Sequence, residues 1–264
     1  MSYMDPMQKV SIHYCNLTKK ERATCDLIME NPEVVIHNPI AEAAEIYQVS
    51  PSSILRLSKK IGYKGYSEFR YALEGYYNHR SRNQKQTILS DEIIDIYQSS
   101  FNELRNSIDE SKIIELVHIL QTKNFKTVGI GNSSLAAKQL IYSLYVEDYW
   151  GECVNDSVKV SFLDKTLTPN DAIIVFSVSG NHDLYYKEMK KWKESGATIV
   201  LVTTNPESQL CKLCQLSITL PSLPLTLFQS PKQVHYLENR TIFYVFIDIL
   251  LAYFVTTKTT NQTD

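Results

Sequence analysis

The first third of the chain has apolar residues at helical spacing, interrupted by turn signals. Thr18-Lys19-Lys20-Glu21 is a capping box, which predicts a helix running to Glu30 and ending at Asn31-Pro32. A short turn at residues 34–37 and a second helix beginning at Pro39 are predicted next, whereas the first dozen residues show no pattern. This region is therefore predicted to be a small helical bundle.

A tight turn and a third helix follow. Gln48-Val49-Ser50 forms the turn, Ser50 is the predicted N-cap and Pro51 takes the first helical position. One side of this helix is apolar, with Ile54, Leu57 and Ile61. The other side is small, polar and basic, and together with the N-cap it comprises Ser50, Ser52, Ser53, Arg56, Lys59 and Lys60. A further helix is expected over residues 66–76.

The polar side of the third helix has the composition of a DNA-reading surface. Small residues near a helix N-terminus allow close approach to the major groove, arginine pairs with a guanine edge, and lysine binds phosphate. A solvated basic surface helix is the alternative. Because the basic residues coincide with the helix-turn-helix spacing, the sequence favours DNA binding.

The pattern changes after residue 88, where strands alternate with helices. Helices are predicted at residues 88–108, 111–122, 135–146 and 184–195, and strands at 125–131, 151–154, 172–176, 198–203 and 216–220. Such alternation is typical of a doubly wound parallel sheet. The predicted fold is therefore a helical helix-turn-helix bundle followed by an α/β domain, with domains at 1–77 and 88–264 and a linker at 78–87.

Two predicted strands run into loops of small residues. The first enters Gly129-Ile130-Gly131-Asn132-Ser133-Ser134, and the second enters Ser177-Val178-Ser179-Gly180. Both loops precede a helix, where backbone N–H groups and hydroxyls attract an anion, and a phosphate is the anion expected here. The third glycine of a dinucleotide fingerprint is missing after Gly131, so neither NAD nor FAD is expected.

The last helix, predicted over residues 237–255, has more apolar positions than a single buried stripe needs. We therefore expect it to form a homodimer interface. Asp248 in its middle and its short length weigh against a membrane span. Arg240 and Asp248 are expected to pair structurally.

Charge is unevenly distributed. Residues 1–85 carry 12 Lys and Arg against 9 Asp and Glu, whereas residues 86–264 carry 15 against 20. The segment 56–85 alone has 8 basic and 2 acidic residues, which fits a polyanionic partner. The basic stretch 78–86 is a candidate linker that could also touch phosphates.

Five irregularly spaced cysteines argue against a secreted disulfide framework and for a reducing cytoplasm. Cys211-Lys212-Leu213-Cys214 has redox or metal spacing, but no second pair accompanies it. No metal or cofactor is therefore expected. The N-terminus has no basic-then-apolar run of a signal peptide.

Several motifs of the N-terminal region together carry a family resemblance. They are Thr18-Lys19-Lys20-Glu21-Arg22, Asn31-Pro32-Glu33, Ile40-Ala41-Glu42-Ala43-Ala44, Val49-Ser50, Arg56 and the run from Lys59 to Phe69. With them, the region closely resembles the DNA-binding domain of RpiR-type bacterial transcriptional regulators. The resemblance implies operator binding as a dimer or higher oligomer, with the helix from Ser50 to Ile61 in the groove.

The two serine loops are accompanied by Leu167-Thr168-Pro169-Asn170-Asp171, Gly196-Ala197 and Thr203-Thr204-Asn205. With these motifs, residues 126–221 resemble a SIS domain, the module that binds phosphosugars, and RpiR-type regulators have this domain order. The resemblance implies that a sugar phosphate is held by Ser133, Ser134, Ser177, Ser179, Gly180 and Asn181. This chain has His182-Asp183 where the family often has a threonine after the residue at 181, so one phosphate donor is lost.

The sequence leaves an enzyme open as the alternative to a regulator. An aldose-ketose phosphosugar isomerase needs a carboxylate or histidine to move a proton beside the carbonyl. The conceivable bases are Glu147, Glu152, His235 and Glu238, none of which lies in a motif that marks a base. The helical bundle has no use in a simple isomerase, and a purely structural protein would leave both serine loops unexplained. A regulator whose DNA affinity responds to a phosphosugar is therefore favoured.

Overall fold

The computed structural model describes residues 6–14, 16–80, 89–180, 183–222, 226–230, 233–236 and 240–260. The chain divides into two compact units, of which the first takes Met1–Ser99 with Ser222–Glu238, and the second takes Ser100–Pro221 with Asn239–Asp264. Of the expected linker, residues 81–87 lie outside the described residues, and residues 78–80 belong to the end of a helix.

The first unit is built mainly of helices. These are α1 (Pro6–Tyr14), α2 (Lys19–Glu30), α3 (Pro32–His37), α4 (Ile40–Ile46), α5 (Pro51–Lys60) and α6 (Tyr66–Arg80). Their buried faces share one core, which includes Cys25, Ile28, Ile54, Leu57, Phe69 and Leu73. The apolar periodicity of the sequence therefore identified the core side of α5 correctly. An antiparallel pair of strands, β6 (Thr226–Ser230) and β7 (Gln233–Tyr236), also belongs to this unit.

Both predicted N-caps are present. The Thr18 hydroxyl accepts from the Glu21 N–H while the Glu21 carboxylate accepts from the Thr18 N–H, which completes the capping box. The Ser50 hydroxyl accepts from the Ser53 N–H at 3.2 Å. Between α4 and α5, Gln48 takes a left-handed conformation with φ of 56°, which turns the chain sharply. The helix-turn-helix geometry is thus specified by local hydrogen bonds.

Two helices of the first unit were not predicted. The residues of α1 showed no pattern, yet Met7, Val10 and Ile12 are buried in the unit. The segment after Asn31 was expected to be a turn, but Pro32 is the first residue of α3, a position where proline is tolerated because its missing N–H is not needed. Burial of its valines and isoleucine stabilises this short helix.

The second unit is a five-stranded parallel sheet with helices on both faces. Its strands are β1 (Asn124–Val128), β2 (Glu152–Val154), β3 (Asp171–Ser177), β4 (Thr198–Thr203) and β5 (Leu216–Thr219), in the order β2-β1-β3-β4-β5. The helices are α8 (Glu110–Thr122), α9 (Ser133–Tyr145), α10 (Ser157–Phe162), α11 (Asp183–Glu194) and α12 (Thr241–Thr260), and α7 (Leu89–Ser107) precedes them. The doubly wound prediction is confirmed.

The central strand β3 is buried along its whole length, and the residues between Asp171 and Ser177 are all apolar, as expected for a strand covered on both faces. On one face, Ile173 and Val175 share a core with Met189 and Trp192 of α11. On the other face, Phe176 packs edge-on against Phe243 of α12, with ring centroids 5.6 Å apart. This strand therefore anchors both helical layers.

One side of α12 packs inside the unit. Ile242, Phe243, Phe246, Leu250 and Phe254 are all buried, and Phe254 packs edge-on against Tyr149, with ring centroids 4.7 Å apart. Val245 and Ile249 are only half-buried, and Val255 is exposed. The homodimer interface that we expected on this helix remains a prediction.

None of the helices in the described part of the chain combines the length and the hydropathy that crossing a lipid bilayer requires.

Candidate functional sites

The first candidate site is the polar side of α5. Ser50, Ser52 and Ser53 cluster at its N-terminus, where the Ser50 hydroxyl lies 2.8 Å from each of the other two hydroxyls. Arg56 and Lys59 are exposed one and two turns further along. All six predicted contact residues thus line one helix, whose apolar side is buried.

The cations of α5 are not equivalent. The Lys60 ammonium lies 2.7 Å from Oε2 of Glu21 on α2, and Nε of Arg56 lies 3.7 Å from Oε1 of the same carboxylate. Within the described residues, Lys59 has no ion pair. Lys59 is therefore available for a phosphate, whereas Lys60 is held by Glu21, a residue that the sequence indicated only as a helix cap.

Glu21 is a buried carboxylate. Burial alone would raise its pKa, but hydrogen bonds from Lys60 and from the Thr18 backbone and side chain lower the pKa of Glu21 to about 2. The carboxylate therefore stays ionised throughout the physiological range, and a fixed negative charge lies next to the basic side of α5.

The second candidate site begins with the loop between β1 and α9. A Cβ at Gly129 would lie 2.5 Å from the Ser133 carbonyl oxygen, so only glycine allows the strand to end this close to the helix. Gly131 has φ of 60°, which also favours glycine. Among the described residues, nothing hydrogen-bonds the hydroxyls of Ser133 and Ser134. Two unpartnered donors therefore lie at the N-terminus of α9.

The loop after β3 is braced by the segment that follows β4. The Ser177 hydroxyl accepts from the Gly180 N–H at 3.2 Å, and Asn205 donates to the Ser179 carbonyl at 2.7 Å. The Ser208 hydroxyl donates to the Gly180 carbonyl. A Cβ at Gly180, whose φ is 56°, would lie 2.3 Å from the Ser208 oxygen. The sequence analysis did not predict a role for Ser208. The motif nearest to it in the sequence was the one at residues 203–205.

The sheet order brings the two loops to the same edge. Strands β1 and β3 are adjacent and parallel, with Val128 opposite Val175, so both serine loops extend from the carboxyl end of the sheet. The strand order reverses between them, which is where doubly wound proteins bind ligands. Of the predicted residues, Ser133, Ser134, Ser177, Ser179 and Gly180 lie in these loops, whereas Asn181 and the neighbouring His182 lie outside the described residues.

The chemistry that this edge offers is binding of a neutral or anionic group. Hydroxyls and backbone N–H groups can hold phosphate oxygens without a metal. Within the described residues, no group of three or more His, Cys, Asp or Glu could hold a metal ion. Burial raises the pKa of Cys211, and raises that of Cys214 to about 11, so both thiols stay protonated and unreactive at neutral pH.

Two of the conceivable isomerase bases, Glu147 and Glu152, lie within the described residues. Glu152 is exposed and lies 3.6 Å from the Lys126 ammonium, which is an ordinary surface ion pair. Glu147 is half-buried. Glu238 and the side chain of His235 lie outside the described residues.

Comparison with known proteins finds two family matches along the chain. Residues 4–80 match the helix-turn-helix domain of the rpiR family, and residues 118–236 match the SIS domain. An HTH-type transcriptional regulator of Clostridium perfringens is 24% identical over 227 residues, which cover 81% of this chain and 80% of the relative. One from Haemophilus influenzae is 26% identical over 211 residues, covering 75% and 73%.

Among solved structures, the Vibrio vulnificus NanR protein complexed with ManNAc-6P has the same fold. It aligns with a TM-score of 0.58 at 20% identity, covering 97% of this chain and 94% of that one. The helix-turn-helix match, the SIS match and the names of both relatives agree with one another. The chain therefore belongs to the RpiR-type transcriptional regulators, with an rpiR-family helix-turn-helix domain ahead of a SIS domain.

Proposed function

We propose that this protein binds operator DNA through α5 and that a sugar phosphate bound by the two serine loops changes that affinity. The observation that carries the proposal is the presence, in one chain, of a capped helix with an exposed basic side and of a sheet edge where the Ser133 and Ser134 hydroxyls have no hydrogen-bond partner among the described residues. DNA binding by such a helix uses Arg56 for a base edge and Lys59 for a phosphate.

The ligand in this proposal is a phosphate monoester of a sugar. Ser133 and Ser134 offer hydroxyl donors at a helix N-terminus, where the helix dipole favours negative charge. The relative NanR was solved with ManNAc-6P, which supports this ligand class. The two loops offer hydroxyls and backbone N–H groups that can hold phosphate oxygens, and both curated relatives are named as transcriptional regulators, so we propose ligand binding rather than isomerisation.

Coupling between ligand and DNA requires only that the ligand prefer one of two conformations. We propose a homodimer that presents two α5 helices to a palindromic site, so that a ligand-dependent change of their spacing changes affinity. Sedimentation analysis with and without DNA measures the oligomeric state. A strictly monomeric protein on DNA would overturn this part.

The direct test is selection of duplexes from a random-sequence library by the full-length protein, followed by fluorescence anisotropy on the selected sequence. Titrations include ManNAc-6P, other sugar phosphates, the unphosphorylated sugars and inorganic phosphate. Selective binding that a sugar phosphate alters and its parent sugar does not is expected. If the protein selects no sequence, the DNA-binding role fails; if it then converts a sugar phosphate, the isomerase replaces it.

Alanine variants with matched controls test which residues form the two sites, beginning with the DNA-binding helix. Arg56→Ala should weaken binding to the selected duplex about tenfold, because a guanine contact is lost, whereas Arg105→Ala on exposed α7 should change nothing. Unchanged affinity of the Arg56 variant would contradict the assignment of α5.

For the ligand, Ser134→Ala and Ser179→Ala should abolish the thermal shift given by the active sugar phosphate. Ser143→Ala is the matched control, since Ser143 lies on the same helix as Ser134 but hydrogen-bonds Gln139 at 3.1 Å. A shift retained in both loop variants would place the ligand elsewhere.

A further inference from the structure

The carboxylate of Glu21 connects the capping of α2 to the basic side of α5. Its Oε2 atom accepts three hydrogen bonds, from the Thr18 N–H at 2.8 Å, the Thr18 hydroxyl at 2.9 Å and the Lys60 ammonium at 2.7 Å. These donors come from two helices and fix the carboxylate in one orientation. The other oxygen, Oε1, is directed to Arg56.

Arg56 is the more exposed partner of this pair. Its side chain is 65% exposed, whereas that of Glu21 is 8% exposed. The contact is made by Nε, the inner nitrogen of the guanidinium, at an ion-pair distance of 3.7 Å. No contact of the two terminal amino groups is found within the part of the chain that the structure describes, and these groups are a pair of donors suited to O6 and N7 of a guanine.

We propose that Glu21 is a positioning residue that orients Arg56 for base reading and so determines sequence preference, an inference that rests on the proposed DNA-binding function. An unrestrained arginine loses rotamer freedom when it docks on a base. A fixed carboxylate that already restricts the guanidinium reduces this loss. It also disfavours alternative placements of Arg56 on a phosphate.

Glu21 carries its charge at every pH at which DNA binding would be measured. Burial opposes ionisation, but the hydrogen bonds from Lys60 and Thr18 lower the pKa of Glu21 to about 2. The carboxylate should also repel the DNA backbone, so its removal has two opposite effects. Discrimination between base pairs at the position bound by Arg56 should weaken. Affinity for unrelated DNA should increase because one negative charge is lost.

The test compares Glu21→Gln with the wild type in the full-length protein. Glutamine keeps an oxygen that accepts from the Thr18 N–H, so the cap of α2 persists while the charge is removed. The matched control is Glu68→Gln: Glu68 lies in the first turn of α6, and its carboxylate accepts from the Lys64 N–H at 2.6 Å. Both variants change the charge of the same unit by one.

Base preferences at every position of the selected site are measured for the wild type, both glutamine variants and Arg56→Ala. We expect Arg56→Ala to reduce the base preference at one position of the selected site. Glu21→Gln should reduce the base preference about fivefold at that same position and at no other. Affinity for unrelated DNA should rise in both glutamine variants. Preferences of Glu68→Gln should match the wild type.

The outcomes separate the two proposals. If the wild type selects a sequence but Glu21→Gln keeps the wild-type preferences, or loses affinity for all sequences alike, Glu21 only holds α5 against α2 and the positioning role is refuted. Relaxation at base pairs that Arg56→Ala does not affect refutes it as well. If the wild type selects no sequence, the DNA-binding function itself fails, and the positioning role fails with it.

Discussion

The two candidate sites are built on opposite principles. On α5 the cations are exposed to solvent, and one buried carboxylate, that of Glu21, contacts two of them, Arg56 and Lys60. At the sheet edge the predicted groups are neutral, and Ser133, Ser177 and Ser179 are buried. A surface that binds a large polyanion needs positive charges on long, exposed side chains. A site for a small anion needs a backbone geometry that fits the anion. We therefore expect charge substitutions to change the first site and steric substitutions to destroy the second.

The largest effect is expected from Gly129→Ala. Its Cβ would lie 2.5 to 2.8 Å from backbone atoms of Ser133 and Ser134, which cannot move without displacing α9. We expect a loss of about 3 kcal/mol or more in the free energy of unfolding of the second unit, together with loss of ligand binding. Both tryptophans of the chain, Trp150 and Trp192, lie in this unit, so tryptophan fluorescence in urea reports its stability.

Gly131→Ala is the matched control for that experiment. Gly131 has φ of 60°, but a Cβ there meets nothing within 4 Å. Only backbone strain remains, so the expected cost is about 1 kcal/mol. Equal destabilisation by the two alanine variants would show that close approach of β1 to α9 does not shape the site.

Acidification should lower the stability of the first unit, which distinguishes it further from the second unit. Burial, aided by the nearby Lys9 charge, lowers the pKa of His13 from 6.5 to about 4. The unfolded chain therefore binds more protons between these values, and stability should fall as pH drops from about 6.5 to 4, by about 2 kcal/mol. Urea unfolding followed by circular dichroism at several pH values measures this loss.

His13→Gln should remove that part of the pH dependence, whereas His37→Gln should keep it, because the side chain of His37 is 70% exposed. A His13→Gln variant with the wild-type pH profile would mean that His13 does not cause the acid sensitivity. The Glu21 carboxylate adds a separate loss only at lower pH, between its ordinary value and about 2.

The smallest effect is expected from replacing either of two neighbouring lysines, one of which should stabilise the fold while the other should bind a phosphate. Lys60→Ala leaves the buried Glu21 carboxylate without its cation and should lower stability by about 1 to 2 kcal/mol. Lys59→Ala should change stability by less than about 0.5 kcal/mol. On DNA, Lys59→Ala should reduce the dependence of log affinity on log salt by about one, since a phosphate contact is lost.

Thermal unfolding and a salt series on the selected duplex check both halves of that prediction. If the two alanine variants lose the same stability, the Glu21 pair does not contribute to folding. If Lys59→Ala keeps the full salt dependence, Lys59 does not contact a phosphate.

The sequence by itself determined what depends on near neighbours. The capping box at Thr18, the Ser50 cap, the apolar side of α5 and the strands that lead into both serine loops were predicted, because each depends on hydrogen bonds or spacing within a few residues. The same regularities support the parallel sheet and the location of both candidate sites.

Only the tertiary structure decided the contacts between distant residues. Lys60 pairs with Glu21 across 39 positions, and the Ser208 hydroxyl reaches Gly180 across 28. One side of α12 is buried inside its own unit, where Phe243 packs on Phe176. Local propensity contains no information about which distant side chain fills a cavity or neutralises a charge. That pairing is set by burial, which exists only once the chain has folded.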